Sequence, residues 1–492
     1  MLHMSCTAFN FGFDVGTFGG VQGMQSFQDD FGVYNPKTKL WALPSWLRSV
    51  MTSTPFVGKA LGAIGCGLIA ERWGRRSAIF WLCILSFIGA ALQTSATTSA
   101  QFTLGRIIAY AMTGMAVVVV PIYQGETAPA ELRGMFGCTI QFMITLGQVV
   151  SSLVTFGTKG MTSNAGWQIP IGMQLVMPAV ILILLPLVPE SPRWLLSKDR
   201  VEDAVKNLKK LRKHAGEEEV KFEIDSLQYA NANQHKGGWM ELFNQKNRVR
   251  TGIAIFVMFG QQITGQAFPS QYGVIFYQSQ GFASQAFLFN VLSNIISLVA
   301  VTMTWSTVDA LGRRPSLLTG GSLMAAMMFI LGGMGSVPSH KLTSAGKHMM
   351  VASIMLFSFF FSLSWAPVSY VVVSETAASR VKEKTNLIAM VISVLTTFVT
   401  SFSTPSIISA IGAKLGFVYG VINIMVVVAT WFVVPELKGK SLEEVDQLLE
   451  SGVRIRRLGE VETKRAEAIY EEKERPFERV EVVEKVKVEN GS

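Results

Sequence analysis

The sequence predicts an all-α membrane protein whose twelve transmembrane helices form two pseudo-symmetric six-helix halves. Three observations support this fold class: a low charge content, recurring apolar runs of bilayer length, and charged phrases that repeat in the same order. Of the 492 residues, 16% are charged, whereas ordinary soluble domains carry about 25%. A chain this long with so few charges is either several soluble domains or one membrane bundle, and the distribution of its apolar residues favours the bundle.

Twelve apolar runs recur along the chain, each long enough to cross a bilayer as an α-helix. A polar segment separates the first six runs from the last six. The runs are too long and too uniformly apolar for the strands of a transmembrane barrel, so we expect helices. Their predicted bounds are 4–24, 49–70, 77–98, 103–124, 137–157, 171–188, 250–278, 284–308, 315–335, 347–374, 385–411 and 415–434.

Lysine and arginine concentrate in the connections on one side of this bundle. That side receives Arg75, Arg313 and the basic segment 193–249, whereas the opposite connections at 99–102 and 279–283 carry no basic residue. The positive-inside rule places the basic side in the cytoplasm, and an even number of spans then places both termini there. Since the net charge of +9 reflects this topology, we expect a lipid bilayer and no nucleic acid as a partner.

Charged phrases repeat between the two halves, which indicates an internal duplication. Glu71–Arg76 follows the second run, and the similar phrase Asp309–Arg314 follows the eighth. Glu126–Ala128 closes the fourth run, and Glu375–Ala377 closes the tenth. We therefore expect two equivalent halves joined by a cytoplasmic linker.

The linker is predicted to be helical, because Val201, Ala204, Leu208 and Leu211 recur at helical spacing. The expected organisation is an N-terminal half at 1–192, a linker at 193–249, a C-terminal half at 250–434 and a cytoplasmic tail at 435–492.

Asp14 lies inside the first predicted span and Arg106 inside the fourth. A charge within a span costs about 2.5–3.5 kcal/mol on insertion scales, so its default interpretation is functional. We expect the two side chains to lie together, where each lowers the cost of the other. A proton bound to Asp14 would then release Arg106 and alter the packing of the first and fourth helices. The alternative is a permanent structural pair.

A second group of charges lies at the cytoplasmic ends of the predicted helices. We expect these residues to form a gate, with pairs between the halves that break when the inner side opens. The alternative is a solvated surface that only sets topology. The expected gate residues are Glu71, Arg75, Glu126, Arg133, Glu190, Arg193, Asp309, Arg313, Glu375, Arg380 and Lys382.

Catalytic and cofactor sites are not expected. The four cysteines and five histidines show no metal-ligand spacing. Gly439-Lys440-Ser441 lacks the earlier glycine of a phosphate loop, because Val434 stands there. The sequence therefore indicates neither an enzyme nor a metal site.

In this order, the phrases resemble the sugar porter family of the major facilitator superfamily, in its fungal type, along nearly the whole chain. The most specific phrase is Pro189–Trp194, and Gln261-Gln262, Ser364–Pro367 and Pro435-Glu436 add to it. The resemblance implies the major facilitator fold and sugar import by alternating access through a central cavity. It further implies a monomer in the plasma membrane, with a carbohydrate as the small-molecule partner and no cofactor other than a coupling proton.

The resemblance also implies substrate contacts at Gln141, Gln261, Gln262 and Trp365. Amides match the hydroxyls of a sugar, and an indole stacks on its C–H faces. For each glutamine, the alternative is an interhelical hydrogen bond.

The chain departs from the family at the substrate positions. The seventh run reads Gly265-Gln266-Ala267 where the family has an asparagine, so Gln266 is a candidate contact, as is Asn294 in the eighth run. Pro269 predicts a bend in the seventh helix. These departures leave a disaccharide, a polyol or a sugar acid open as the cargo.

Proton-linked members of the family resemble this chain at Asp14 and Arg106, whereas facilitative members tend to carry a neutral residue at the aspartate position. We therefore expect proton-coupled symport. One alternative is a facilitative uniporter in which Asp14 is structural. Another is a transporter-like nutrient sensor, a class that tends to have long cytoplasmic tails.

Overall fold

Helices account for almost all regular structure in the computed structural model, which describes residues 2–36, 39–127, 133–212, 216–233, 238–245, 247–338, 341–378, 380–438 and 445. Twelve long helical segments follow one another, and we number them α1 to α12. In order they are Leu2–Val21, Ser45–Trp73, Arg75–Thr94, Ser99–Thr127, Arg133–Thr158, Ala165–Leu187, Arg248–Ser279, Ala286–Leu311, Arg313–Gly335, Ser344–Thr376, Lys382–Ile411 and Leu415–Val433.

Nine segments of the described chain are long and apolar enough to cross a membrane, and they cover ten of the twelve helices. The ninth, Lys382–Val433, spans 52 residues and contains both α11 and α12. Helix α1 falls outside these nine segments because Asn10, Asp14 and its glycines lower its hydropathy. Helix α7 falls outside because neither of its two pieces, of 16 and 13 residues, is long enough to span a membrane alone.

Four of the long helices are interrupted. Helix α2 breaks at Thr54, before Pro55. A 3-10 turn at Met173–Leu175 divides α6. Helix α7 consists of Arg248–Ile263 and Ala267–Ser279, and α10 consists of Ser344–Leu363 and Trp365–Thr376. These breaks bring backbone and polar side chains into the interior of the bundle.

The sequence predicts a bend in α7 at Pro269, and the observed break lies just before that proline. Gly265 lies in the break with φ +96°, and a Cβ there would meet the ring of Tyr419. Pro269 lies in the first turn of the second piece, where a missing N–H costs nothing. The kink therefore depends on the glycine as well as on the proline.

The connection between α1 and α2 carries regular structure that the apolar pattern does not predict. A short helix, Gln25–Phe31, precedes two strands, β1 at Val33–Asn35 and β2 at Leu40–Ala42. The strands pair antiparallel with Val33 opposite Ala42. Helix α2 consequently begins at Ser45, earlier than its apolar run indicates.

The linker between the halves is helical, as predicted. It contains Pro192–Ser197, Val201–Leu211, Glu217–Asn233 and a 3-10 turn at Trp239–Phe243. Its own small core includes Trp194, Leu195, Ala204, Leu208, Val220 and Ile224. We call the face of the bundle that carries these helices the linker side, and the opposite face the distal side.

Hydrogen bonds join the two halves on the distal side. The amide of Gln22 donates to the carbonyl of Gln271. The amide of Gln278 donates to the carbonyl of Gly23 at 2.9 Å, and the Ser49 hydroxyl donates to the carbonyl of Phe402 at 2.8 Å. Helix α5 also packs on α8, and α2 packs on α11, across the interface. The bundle is therefore closed at its distal side.

Candidate functional site

Asp14 is a buried carboxylate within the membrane-spanning region, with 2% of its surface exposed. Gln174, in the 3-10 turn of α6, donates a 3.0 Å hydrogen bond to Oδ1. Oδ2 is buried and accepts no hydrogen bond from the described residues. Sequence reasoning missed Gln174, although it is the one polar residue in the apolar run 171–188. The break in α6 thus supplies a neutral donor to one oxygen and leaves the other open.

Arg106 is also buried, with 1% of its surface exposed. Its Nε donates to the carbonyl of Met51 at 3.1 Å, and Nη2 donates to the Tyr110 hydroxyl at 3.3 Å. The guanidinium lies over the Phe18 ring, 3.7 Å from its centroid. Phe18 follows Asp14 by one turn of α1, so the cation packs on the distal side of the carboxylate.

The expected direct pair between Asp14 and Arg106 is not formed. Each side chain has other hydrogen-bond partners, and Arg106 acts on Asp14 only through space. Both residues lie about 10 Å from the distal end of their helices, at a rise of about 1.5 Å per residue. They therefore share one depth in the bundle without a salt bridge that would hold Asp14 permanently charged.

Gln261 and Trp365 lie within the packing of the second half. Gln261 Nε2 donates to the carbonyls of Trp365 and Ala366 at 3.2 and 2.9 Å, in the break of α10. Trp365 has no exposed surface, and its Nε1 donates to the carbonyl of Leu317 at 3.1 Å. A Cβ on Gly260 would meet the indole ring, so this close approach requires a glycine. In this conformation both side chains therefore form interhelical hydrogen bonds that stabilise the break in α10. For Gln261, an interhelical hydrogen bond is the stated alternative to a substrate contact.

The other amides predicted to bind substrate are half-buried and retain bonding capacity. Gln141 on α5 and Asn294 on α8 form no side-chain hydrogen bond with any residue that the structure describes, and α5 and α8 pack together across the interface. Gln262 donates to the oxygen of Gln261 at 2.9 Å. The Gln266 oxygen is buried without a donor among the described residues. These four side chains can still exchange hydrogen bonds with a polar cargo.

A charged cluster joins α3, α4 and the end of α6 on the linker side. Arg75 contacts Glu126 through two hydrogen bonds, at 2.9 Å from Nε and 2.5 Å from Nη2. The Glu190 carboxylate accepts the backbone N–H groups of Arg75 and Arg76 at 3.0 and 3.1 Å. Gly74 precedes them with φ +97°, and a Cβ there would lie 2.6 Å from Glu190. Glu190 therefore caps α3 from a distant point in the chain.

The second half repeats this cluster. Arg313 contacts Glu375, with Nη2 to Oε1 at 2.8 Å. The Glu436 carboxylate accepts the backbone N–H groups of Arg313 and Arg314 at 3.1 and 3.0 Å. Gly312 has φ +95° and faces Glu436. Glu436 is missing from the predicted gate residues, although Pro435-Glu436 repeats Pro189-Glu190 and identifies it.

The ion pairs described at these helix ends lie within each half. Pairs between the halves are expected when the linker side is closed, and in this conformation the distal side is the closed one, so that expectation stays a prediction. Arg75–Glu126 and Arg313–Glu375 each join two helices of one half, because the duplicated phrases fold onto each other locally. Among the remaining predicted gate residues, Glu71 and Arg380 are exposed and Arg193 and Lys382 are half-buried. The side chains of Arg133 and Asp309 lie outside the described part of the chain.

The sequence of this chain is similar to those of known transport proteins. The profile of the family described as "Sugar (and other) transporter" matches residues 1–449. A high-affinity glucose transporter of Schizosaccharomyces pombe is 31% identical over 465 residues, which cover 92% of this chain and 87% of that protein. A high-affinity gluconate transporter of the same organism is 29% identical, over 95% of this chain and 87% of that protein.

Two solved structures share the fold. The proton:xylose symporter XylE, bound to 6-bromo-6-deoxy-D-glucose, matches with a TM-score of 0.75 at 24% identity, over 91% of this chain and 98% of that chain. A partially occluded inward-open conformation of XylE from E. coli matches with a TM-score of 0.75 at 22% identity, over 89% of this chain and 98% of that chain. The twelve-helix architecture is therefore the major facilitator fold.

Proposed function

The chain belongs to the sugar transporter family of the major facilitator superfamily, and we propose that it imports its sugar together with a proton. The basic linker side then faces the cytoplasm, with both termini, as the positive-inside rule requires. The distal side faces the exterior at the plasma membrane, and the protein acts as a monomer. Because the distal contacts are formed, the external gate is shut in this conformation.

The environment of Asp14 supports proton coupling. A buried carboxylate without a salt bridge can exist in charged and neutral forms, and each form changes its surroundings. When Asp14 is charged, the Gln174 amide and the nearby Arg106 charge stabilise it. When a proton binds at Oδ2, which accepts no hydrogen bond from the described residues, this electrostatic attraction is lost. Helices α1, α4 and α6 can then shift relative to one another.

The cargo contacts in this proposal are the half-buried amides Gln141, Gln262, Gln266 and Asn294. Each amide both donates and accepts hydrogen bonds, as sugar hydroxyls do. Gln261 and Trp365 contribute by holding the break of α10, so they position the cavity wall in this conformation. Both join the cargo contacts if α10 moves as the distal side opens.

Alternating access follows from two stiff halves. The clusters around Glu190 and Glu436 fasten helices within a half, so each half can rock as one body. The distal contacts that involve Gln22, Ser49 and Gln278 join different halves and must break when the exterior opens. A few hydrogen bonds are enough to balance two such states within several kcal/mol.

Replacement of the Asp14 carboxylate tests this function. In proteoliposomes with a proton gradient, the wild-type chain is expected to accumulate labelled sugar above the external concentration. Asp14→Asn is expected to lose accumulation and keep sugar exchange at equal concentrations, because the amide mimics the permanently neutral form. Asp29→Asn is the matched control, since Asp29 is exposed on the distal helix Gln25–Phe31. Accumulation by Asp14→Asn would show that Asp14 is not the coupling site, whereas a wild-type chain that exchanges sugar without accumulating it would belong to the facilitative class.

A further inference from the structure

One cation in the membrane-spanning region takes no part in the proton site. Lys59 lies midway along α2, about 21 Å from each end of Ser45–Trp73 at ~1.5 Å per residue. Its Nζ lies 4.7 Å from the centroid of the Phe11 ring. It forms no ion pair with any residue that the structure describes. A charge at this depth is costly to insert into a membrane, and a cation–π contact offsets only part of that cost.

Lys59 borders the interface between the two halves. Phe56 and Ala60, its neighbours on α2, belong to an apolar cluster that joins the halves. From the second half this cluster contains Val394 and Phe398, both on α11. The Lys59 side chain is half-buried, like the amides predicted to contact the cargo. The ammonium therefore lies beside the surface along which the halves separate.

A second cation occupies the distal end of the same helix and forms no ion pair within the described part of the chain. Arg48 lines a pocket of about 360 Å³, together with Ser45, Tyr272, Ser279, Gln280 and Ser409. Its Nε is buried and donates no hydrogen bond to the described residues. Arg48 and Arg106 both act electrostatically on Tyr272. Basic groups thus lie along the first half from Arg48 at the distal pocket, through Arg106, which donates to the Met51 carbonyl of α2, to Lys59 further along that helix. Of these cations, Arg106 is the one that acts electrostatically on Asp14.

We infer that the cargo is a sugar acid, a monosaccharide with one carboxylate, which Arg48 attracts at the distal pocket and Lys59 binds at mid-membrane. This inference rests on the proposed function and names its substrate class. A neutral sugar requires no counter-charge, so it leaves the desolvation cost of Lys59 without compensation. A carboxylate compensates the lysine and is attracted along a positively charged path. The half-buried amides then bind the hydroxyls.

The charge of the cargo changes the electrical balance of the cycle. A neutral sugar that enters with one proton carries one positive charge inward. A sugar acid that enters as its carboxylate anion with one proton carries no net charge. Uptake of the acid therefore responds to the pH gradient and generates no current, whereas uptake of a neutral sugar generates an inward current.

Matched sugar pairs test the inference with the full chain in proteoliposomes. The probes are D-gluconate against D-glucose and D-galacturonate against D-galactose. We expect at least one acid to show a half-saturating concentration lower than that of its neutral partner, on the order of thirtyfold, and to enter without a current. Transport of neutral sugars with no competition by either acid overturns the inference and leaves the proposed function intact. Transport of neither class overturns both.

Variants at Lys59 identify its role. Lys59→Met is expected to raise the half-saturating concentration of the acid on the order of thirtyfold, with little change for any neutral sugar that is carried. Lys59→Arg keeps the charge and is expected to retain most of the affinity for the acid. An equal loss for acid and neutral cargo in Lys59→Met assigns the lysine a structural role and overturns the inference. The current measurement needs no variant, so the test stands if Lys59→Met fails to fold.

Discussion

Two glycines at equivalent positions of the two halves have the same role on the linker side. Gly74 and Gly312 each adopt a positive φ, and each faces a carboxylate that caps the following helix. Two demands therefore exclude a side chain at these positions. The backbone conformation is unfavourable for residues with a Cβ, and the space is filled by Glu190 or Glu436.

Alanine at either glycine is expected to destabilise the protein. Gly74→Ala and Gly312→Ala should each cost on the order of 1–2 kcal/mol from backbone strain, plus the displacement of the capping carboxylate. Thermal unfolding of the purified protein in detergent measures the loss. Gly157→Ala is the control, because no atom lies within 4 Å of its added Cβ, and helix propensity favours alanine there. A Gly74→Ala protein as stable as this control would contradict the argument.

The sequence identifies important residues more reliably than it identifies their partners. Asp14 and Arg106 are evident because charges in apolar runs are costly. Their partners depend on the break in α6 and on the approach of α2, which come from tertiary packing. The same limit explains why the expected ion pair between them is wrong. The same cost of a charge in an apolar run applies to Lys59, which lies inside the predicted span 49–70 but is missing from the predicted site residues.

In each half, a carboxylate stabilises the start of one helix in the same way. Glu190 and Glu436 each follow the last helix of their half, and each accepts two backbone N–H groups at the start of the third helix of that half. These N–H groups have no partner within their own helix. The carboxylate also lies at the positive end of the helix dipole. Each acid therefore closes its half on the linker side.

Removal of either acid is expected to loosen its half. Glu436→Ala and Glu190→Ala should each lower stability by about 1–2 kcal/mol, as the loss of a helix cap does. Both should reduce the maximal rate of transport, because the halves no longer move as rigid bodies. Glutamine at either position keeps an acceptor oxygen and should recover part of the loss. If Glu436→Ala left both unfolding temperature and transport unchanged, the equivalence of the two clusters would be disproved.

At the scale of elements, apolar periodicity predicts the helices well and their interruptions poorly. All twelve runs correspond to helices, and the linker pattern predicts the helix at Val201–Leu211. Within it Ala204 and Leu208 are buried and Val201 is exposed. At the break in α10 the carbonyls of Trp365 and Ala366 accept from the amide of Gln261 on another helix, and the hairpin at Val33–Ala42 consists of strands only three residues long. Neither leaves a periodic signal.

For the whole molecule, the duplication explains why the linker side is built from paired clusters. Repeated phrases fold in the same way in each half, so the same ion pair forms within each half, Arg75–Glu126 in the first and Arg313–Glu375 in the second. The contacts between the halves use unrelated residues on the distal side, such as Ser49 and Gln278. The sequence could predict the repeat but not which side is closed, because in the proposed transport cycle one sequence adopts both states.

Coupling of sugar to proton movement is the central claim, and the paired fluxes in one preparation test it most directly. Proteoliposomes with an internal pH indicator and labelled sugar report both movements, under a pH gradient of one unit that can support about tenfold accumulation. We predict that sugar addition starts proton entry at a fixed ratio to sugar, and that Asp14→Asn abolishes the proton flux. Sugar entry by the wild-type chain without proton entry would contradict the account.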